Sequence, residues 1–218
     1  VARATFQAEL NALKERLLLL GSMVADAQRK AVQALAERDE DLAREVIAGD
    51  KEINQFQRAL EDECVVLIAH QQPVASDLRL IMSVSHIALD LERMGDHAKG
   101  IAVLALRLAD QPLLKPLIDV PRMAEIGREM LMGQLRAFLE ADVEAAQRIA
   151  KRDAEVDELN EQVFRELLMI MMNDPRTITR ATYLMWVSHN LERYADRTTN
   201  IGERAIFVAS SDVVELND

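Results

Sequence analysis

The chain has 218 residues, half of them apolar, with 26 Lys and Arg against 37 Asp and Glu and a net charge of −11. That balance argues against a nucleic-acid partner and against an anionic lipid surface, since both need a basic footprint. No apolar run reaches the ~20 residues of a membrane span, the opening VARATFQAEL has no signal-peptide core, and the lone Cys64 excludes an internal disulfide. A cytoplasmic protein without membrane insertion is therefore expected, with Cys64 as a small core residue.

Gly (7), Pro (5) and aromatics (4%) are scarce, and Ala, Leu, Glu, Arg, Met and Gln dominate. These residues lose least on entering a helix, so the fold class is expected to be all-α. The first helix is expected over 4–37 and ends at AERDED (36–41). The second is expected over 41–70 and ends at AHQQP (69–73), and the third follows over 74–108. Along the third, Ile81, Val84, Ala88, Leu91, Gly95, Ala98 and Ala102 form one stripe at helical spacing. LADQPLLKPLIDVP (108–121) then holds three prolines, each hostile to helix, and marks a linker over 110–120.

Beyond the linker, helices are expected over 121–140, 143–172 and 175–209, broken at LEADVE (139–144) and MNDPRT (172–177). Asp174-Pro175 is a start signal, an N-cap carboxylate followed by proline at the first helical position. Leu184, Val187, Leu191, Tyr194, Ile201 and Ala205 give the sixth helix its stripe. The Met-rich LLMIMMND is expected to be a core stripe, and Trp186 a core or interface residue.

The halves echo each other. LERMGDHAKGIA (91–102) returns as LERYADRTTNIG (191–202), DKEIN (50–54) as DAEVD (153–157), and QQPVASDLR (71–79) as NDPRTITR (173–180). Two tandem, pseudo-symmetric three-helix bundles follow, residues 1–109 and 121–218, with six long helices in all. A helix of ~30 residues is ~45 Å long, so the bundles should be elongated.

Residues i and i+4 of a helix share a face, which pairs Glu92 with Asp96 and Glu192 with Asp196. Like charges so placed repel, and carboxylate oxygens suit hard cations. In an antiparallel hairpin turning near residue 72, Asp50 stands level with Glu92 and Asp96. A hairpin turning near 174 brings Asp153 and Asp157 level with Glu192 and Asp196. The second copy continues into Thr199, Asn200 and Glu203, a ladder of oxygens, where the first has Lys99, Gly100 and Val103. Lys99 can satisfy Asp96 through an i, i+3 pair, so the second face is where metal is expected first. Candidate ligands are thus Asp50, Glu92 and Asp96 on one face and Asp153, Asp157, Glu192, Asp196, Asn200 and Glu203 on the other. His86 and His189 stand near these sets. Arg93 and Arg193 offer a metal-free reading, in which they pair with the acids across the groove.

The paired LERMGDHAKGIA and LERYADRTTNIGE, with ATFQAELNALKERLLLLGSMVADA and PVASDLR, resemble the PhoU family over nearly the whole chain. The resemblance implies cytoplasmic, non-enzymatic regulators of phosphate uptake and of phosphate-starvation signalling. Such proteins act between a phosphate ABC transporter and the sensor histidine kinase PhoR, and a homodimer is expected. It also implies metal ions on the ExxxD faces, at Glu92, Asp96, Glu192 and Asp196, with iron, zinc, magnesium or manganese as the candidates. The family pattern favours Asn where this chain has Gly100, and an acid at Asn54 and Gln7. Two other classes stay open: a di-metal carboxylate enzyme, for which paired Glu-x-x-His motifs are missing, and a metal-free helical scaffold.

Overall fold

The computed structural model describes residues 2–216, which are helical with short connections and, among the described residues, contain no strand. Helices α1 (Ala2–Glu37), α2 (Glu40–Gln71) and α3 (Ala75–Leu108) form the first bundle. The second holds α4 (Asp119–Glu140), α5 (Val143–Ala150), α6 (Asp153–Asn173) and α7 (Ile178–Ser210). Local chemistry sets the boundaries. Asp39 caps α2 by accepting from Leu42 N at 2.9 Å, and Asp142 caps α5 by accepting from Ala145 N at 2.9 Å. Gln72 and Ala141 end α2 and α4 in the left-handed region, at φ 47° and 54°. Asp174 does cap a helical start, but of a 3₁₀ turn (Pro175–Thr177) that leads into α7.

The helix expected over 143–172 is broken at Lys151–Arg152, where Arg152 N and Glu155 N bond the carbonyls three residues back, at 3.0 Å each. Beside the break the Arg152 guanidinium is held by Glu129 of α4 at 2.9 Å and by Glu155 at 3.2 Å. Asp153 therefore opens α6, whereas its counterpart Asp50 lies inside the unbroken α2.

Both apolar stripes read from the sequence are buried. The core is organised differently from the chain halves, however. One buried cluster joins Leu13, Leu60 and Leu91 to Leu135, Ile201 and Ala205. The other joins Leu35, Val46 and Ile101 to Met130, Val163 and Leu191. Each cluster draws on both halves, because α3 and α7 pack antiparallel along the middle of the molecule. The linker is itself pinned, with Lys115 paired to Asp119 at 2.9 Å and to Glu166 of α6.

The Met-rich end of α6 departs from expectation. Leu167 is buried, but Met169 and Met172 are 58% and 70% exposed. α6 packs mainly on α4, α7 and the 3₁₀ turn, and its outer side meets solvent. Trp186 is half-exposed rather than core.

Candidate metal centre

On the second half, the α6–α7 hairpin brings Asp153, Asp157, Glu192 and Asp196 to one cleft of about 360 Å³, which Lys151 and Leu216 also line. Burial and neighbouring negative charge raise the proton affinity of three of them, Asp153, Asp157 and Glu192. Burial first, then the charges of Asp157, Asp196 and Glu192, push the Asp153 carboxyl up to about 7. Asp157 is raised by burial and by Asp196. Glu192 is raised by burial against the opposing pull of His189 and Arg193. Its Oε2 lies 3.2 Å from His189 Nδ1 but outside hydrogen-bond geometry, and is buried without a hydrogen-bond partner. Arg193 reaches Asp196 at 3.0 Å along α7 itself rather than across the groove.

The donor set fits a hard cation: oxygen only, two acids from each helix, and a buried carboxylate oxygen unpaired. Among the described residues, no three His, Cys, Asp or Glu side chains are yet gathered closely enough to chelate an ion. Like charges stand apart unless a counter-charge draws them in.

Two of the expected ladder residues point elsewhere. Asn200 Nδ2 donates across the molecule to Asp90 Oδ1 at 3.1 Å, and Glu203 Oε1 accepts from Leu216 N at 2.9 Å. Thr199 is buried and donates to Asp196 O at 2.7 Å. Asn200 and Glu203 therefore do not join the four carboxylates of the cleft.

On the first half, Asp50 is 5% exposed and lies near enough to raise Glu92, which is also raised by burial and by Asp96. Lys99 was expected to pair with Asp96 within α3. It reaches α2 instead, where its Nζ donates to Asp50 Oδ2 at 2.7 Å, and that bond raises the Lys99 ammonium's affinity for its proton. Asn54 Nδ2 donates to the same oxygen at 3.2 Å, while Asp50 Oδ1 is buried without a hydrogen-bond partner. Arg93 comes no closer than 3.7 Å to Glu92. Gln7, the other departure, is exposed and donates to Asn11 at 3.3 Å, so it serves α1 locally.

The seam between α3 and α7 was missed by sequence reasoning. Arg197 NH1 donates to Asp90 Oδ1 at 3.1 Å, and His97 Nδ1 lies 3.1 Å from Asn190 Oδ1. Adding 100 to one number and subtracting it from the other exchanges these pairs, as a pseudo-twofold axis requires. The same operation turns Asn200–Asp90 into Gly100–Asn190, where a Cβ on Gly100 would lie 3.0 Å from Asn190 Oδ1. Glycine at 100 thus leaves room for the partner's amide. His86 bonds its own helix carbonyl, Met82 O, at 2.7 Å. Cys64 is buried in the first core as expected, its thiol pushed up to about 12 by burial.

With this geometry in hand, similarity to known proteins adds the family. The model of the PhoU domain matches twice, over residues 17–105 and 120–205. The phosphate-specific transport system accessory protein PhoU homolog of Aquifex aeolicus is 40% identical over 95% of this chain and 94% of its own length. The phosphate-specific transport system accessory protein PhoU of Escherichia coli is 37% identical over 91% of this chain and 82% of its own. Among solved structures, PhoU from Pseudomonas aeruginosa superposes with a TM-score of 0.90 at 36% identity, covering 95% of this chain and all (100%) of its own. The phosphate transport system regulatory protein PhoU from Streptococcus pneumoniae does so with 0.89 at 34% identity, over 96% and 99%.

Proposed function

The chain belongs to the PhoU family, and from that premise we propose that it is a non-enzymatic regulator of phosphate uptake, an adaptor between a phosphate ABC transporter and a PhoR-type sensor histidine kinase. The observation that carries this reading is coverage. Both halves match the family's domain, and relatives named as accessory proteins of phosphate-specific transport align along almost the entire chain.

The second carboxylate cleft is the metal site of this reading, held by Asp153, Asp157, Glu192 and Asp196. A bound cation of iron, zinc, magnesium or manganese supplies there the positive charge that lets four carboxylates stand together. Asp153 and Asp157 bind from α6, Glu192 and Asp196 from α7, and Arg193 holds Asp196 in place. The cleft lies beside the Lys151–Arg152 break, with Lys151 on its wall. The chain acts as a symmetric dimer, which sedimentation of the purified protein tests. No helix of the described residues is long and apolar enough to cross a membrane.

Expression in cells lacking their own phosphate regulator, with alkaline phosphatase as readout, tests the function. Repression in high phosphate is expected to return with the unaltered chain, and its failure to return sinks the regulatory reading. The variant Glu192→Ala/Asp196→Ala, purified alongside, is expected to lose bound metal. Undiminished metal content would remove the site while leaving regulation standing.

A further inference from the structure

We propose that the Lys99 ammonium is a built-in cation on the first carboxylate face, so that the chain takes up a metal ion on its second face alone. This rests on the metal reading above and concerns what sets its stoichiometry.

The two faces correspond residue by residue. Glu92, Asp96 and Lys99 lie 100 positions before Glu192, Asp196 and Thr199, and Asp50 of DKEIN answers to Asp153 of DAEVD. At the first face a positive charge already sits on the most buried acid: Lys99 Nζ is 2.7 Å from Asp50 Oδ2, and Asp50 is only 5% exposed. Burying an acid so deeply is costly unless a cation accompanies it. The ammonium is thus an independent sign that this face is shaped for positive charge. Asp50 Oδ1, buried and unpaired, is the remaining lone-pair site beside it. An ammonium has three donors and no acceptor, so a second cation gains nothing from it and meets a like charge at close range.

At the second face the position of Lys99 belongs to Thr199, fully buried, whose hydroxyl is turned to Asp196 O at 2.7 Å. It brings no charge. The acids there line a cleft that is open to an ion. Arg193 engages Asp196 at 3.0 Å from the same helix.

Manganese titration of the chelator-stripped, full-length chain, read by the electron paramagnetic resonance of free Mn²⁺, tests this directly. The unaltered chain is expected to bind one equivalent. Glu92→Ala/Asp96→Ala is expected to keep it, and Glu192→Ala/Asp196→Ala to lose it. Lys99→Met, which keeps the apolar stem and removes the charge, is expected to gain a second equivalent, while Lys99→Arg stays at one. Two equivalents in the unaltered chain overturn this inference alone, as does a folded Lys99→Met that remains at one. Should Lys99→Met not fold, the two double variants still decide which face is occupied. No binding in any variant overturns the inference together with the metal reading beneath it.

Discussion

On the first carboxylate face, Lys99 crosses from α3 to α2 and places an ammonium 2.7 Å from buried Asp50. On the second, Thr199 occupies the matching position, and Asp153, Asp157, Glu192 and Asp196 share a cleft. The helical hairpin is common to both, apart from the break before Asp153, yet the charge differs. Duplicated helices must keep their apolar stripes, because each core takes residues from both halves and a change in one half is felt by the other.

The strongest way to break this comparison is through the cores. Leu91 and Leu191 are matched repeat positions, 0% and 1% exposed, one in each cluster. Leu91→Ala and Leu191→Ala are each expected to cost about 2–5 kcal/mol. Denaturant unfolding should show a single transition shifted in both variants. Two resolved transitions, only one of which moves, would mean that the halves fold as separate bundles after all.

A smaller effect sharpens the contrast between the faces. The folded-state pKa of Asp153, about 7, lies above the ~3.9 of an unfolded chain. The folded protein therefore holds this proton longer than the unfolded one. The stability it contributes is fully present below about pH 4 and is lost as pH rises through about 7. Metal-free protein should lose on the order of 1–2 kcal/mol across that window, the partly exposed carboxyl being discounted for solvent screening. Melting temperature against pH checks this. Asp153→Asn should flatten the slope, and a cation bound at neutral pH should restore what was lost. Glu92 is also raised by burial, so Glu92→Gln measures how far the first face shares the behaviour.

Much of this was legible in the residues, for identifiable reasons. Apolar periodicity, the breaks at AERDED and LEADVE and the prolines of 108–121 are local signals, and the helices follow them closely. The level placement of Asp153 and Asp157 with Glu192 and Asp196 was legible from hairpin arithmetic alone. The break at Lys151–Arg152 was not, since no Gly or Pro marks it. Nor was the fate of Asn200, which helical spacing assigned to the ladder but whose partner Asp90 lies on the other half. The 100-residue offset did hold that information. Asp90 aligns with Asn190 and His97 with Arg197, but the pairs differ in chemistry, and sequence shows the repeat without showing the axis.

That seam supplies the smallest prediction. Geometrically the two halves match there, with Asp90–Arg197 and Asn190–His97 both at 3.1 Å. Chemically they differ. The first pair is charged and half-buried, and a guanidinium–carboxylate bond is roughly twice as strong as a neutral one. Burial holds the His97 imidazolium below the usual histidine range, with Arg197 and Arg193 adding to the effect, so at neutral pH its bond to Asn190 is between neutral groups. Arg197→Ala is therefore expected to cost about 1–2 kcal/mol, with Asn200 still donating to Asp90 and limiting the loss. His97→Ala should cost about 0.5–1 kcal/mol. Denaturation midpoints of the two variants measure the difference. Equal losses would mean that the seam is held by its packed helices, and that the unlike side chains lying across it add nothing of their own.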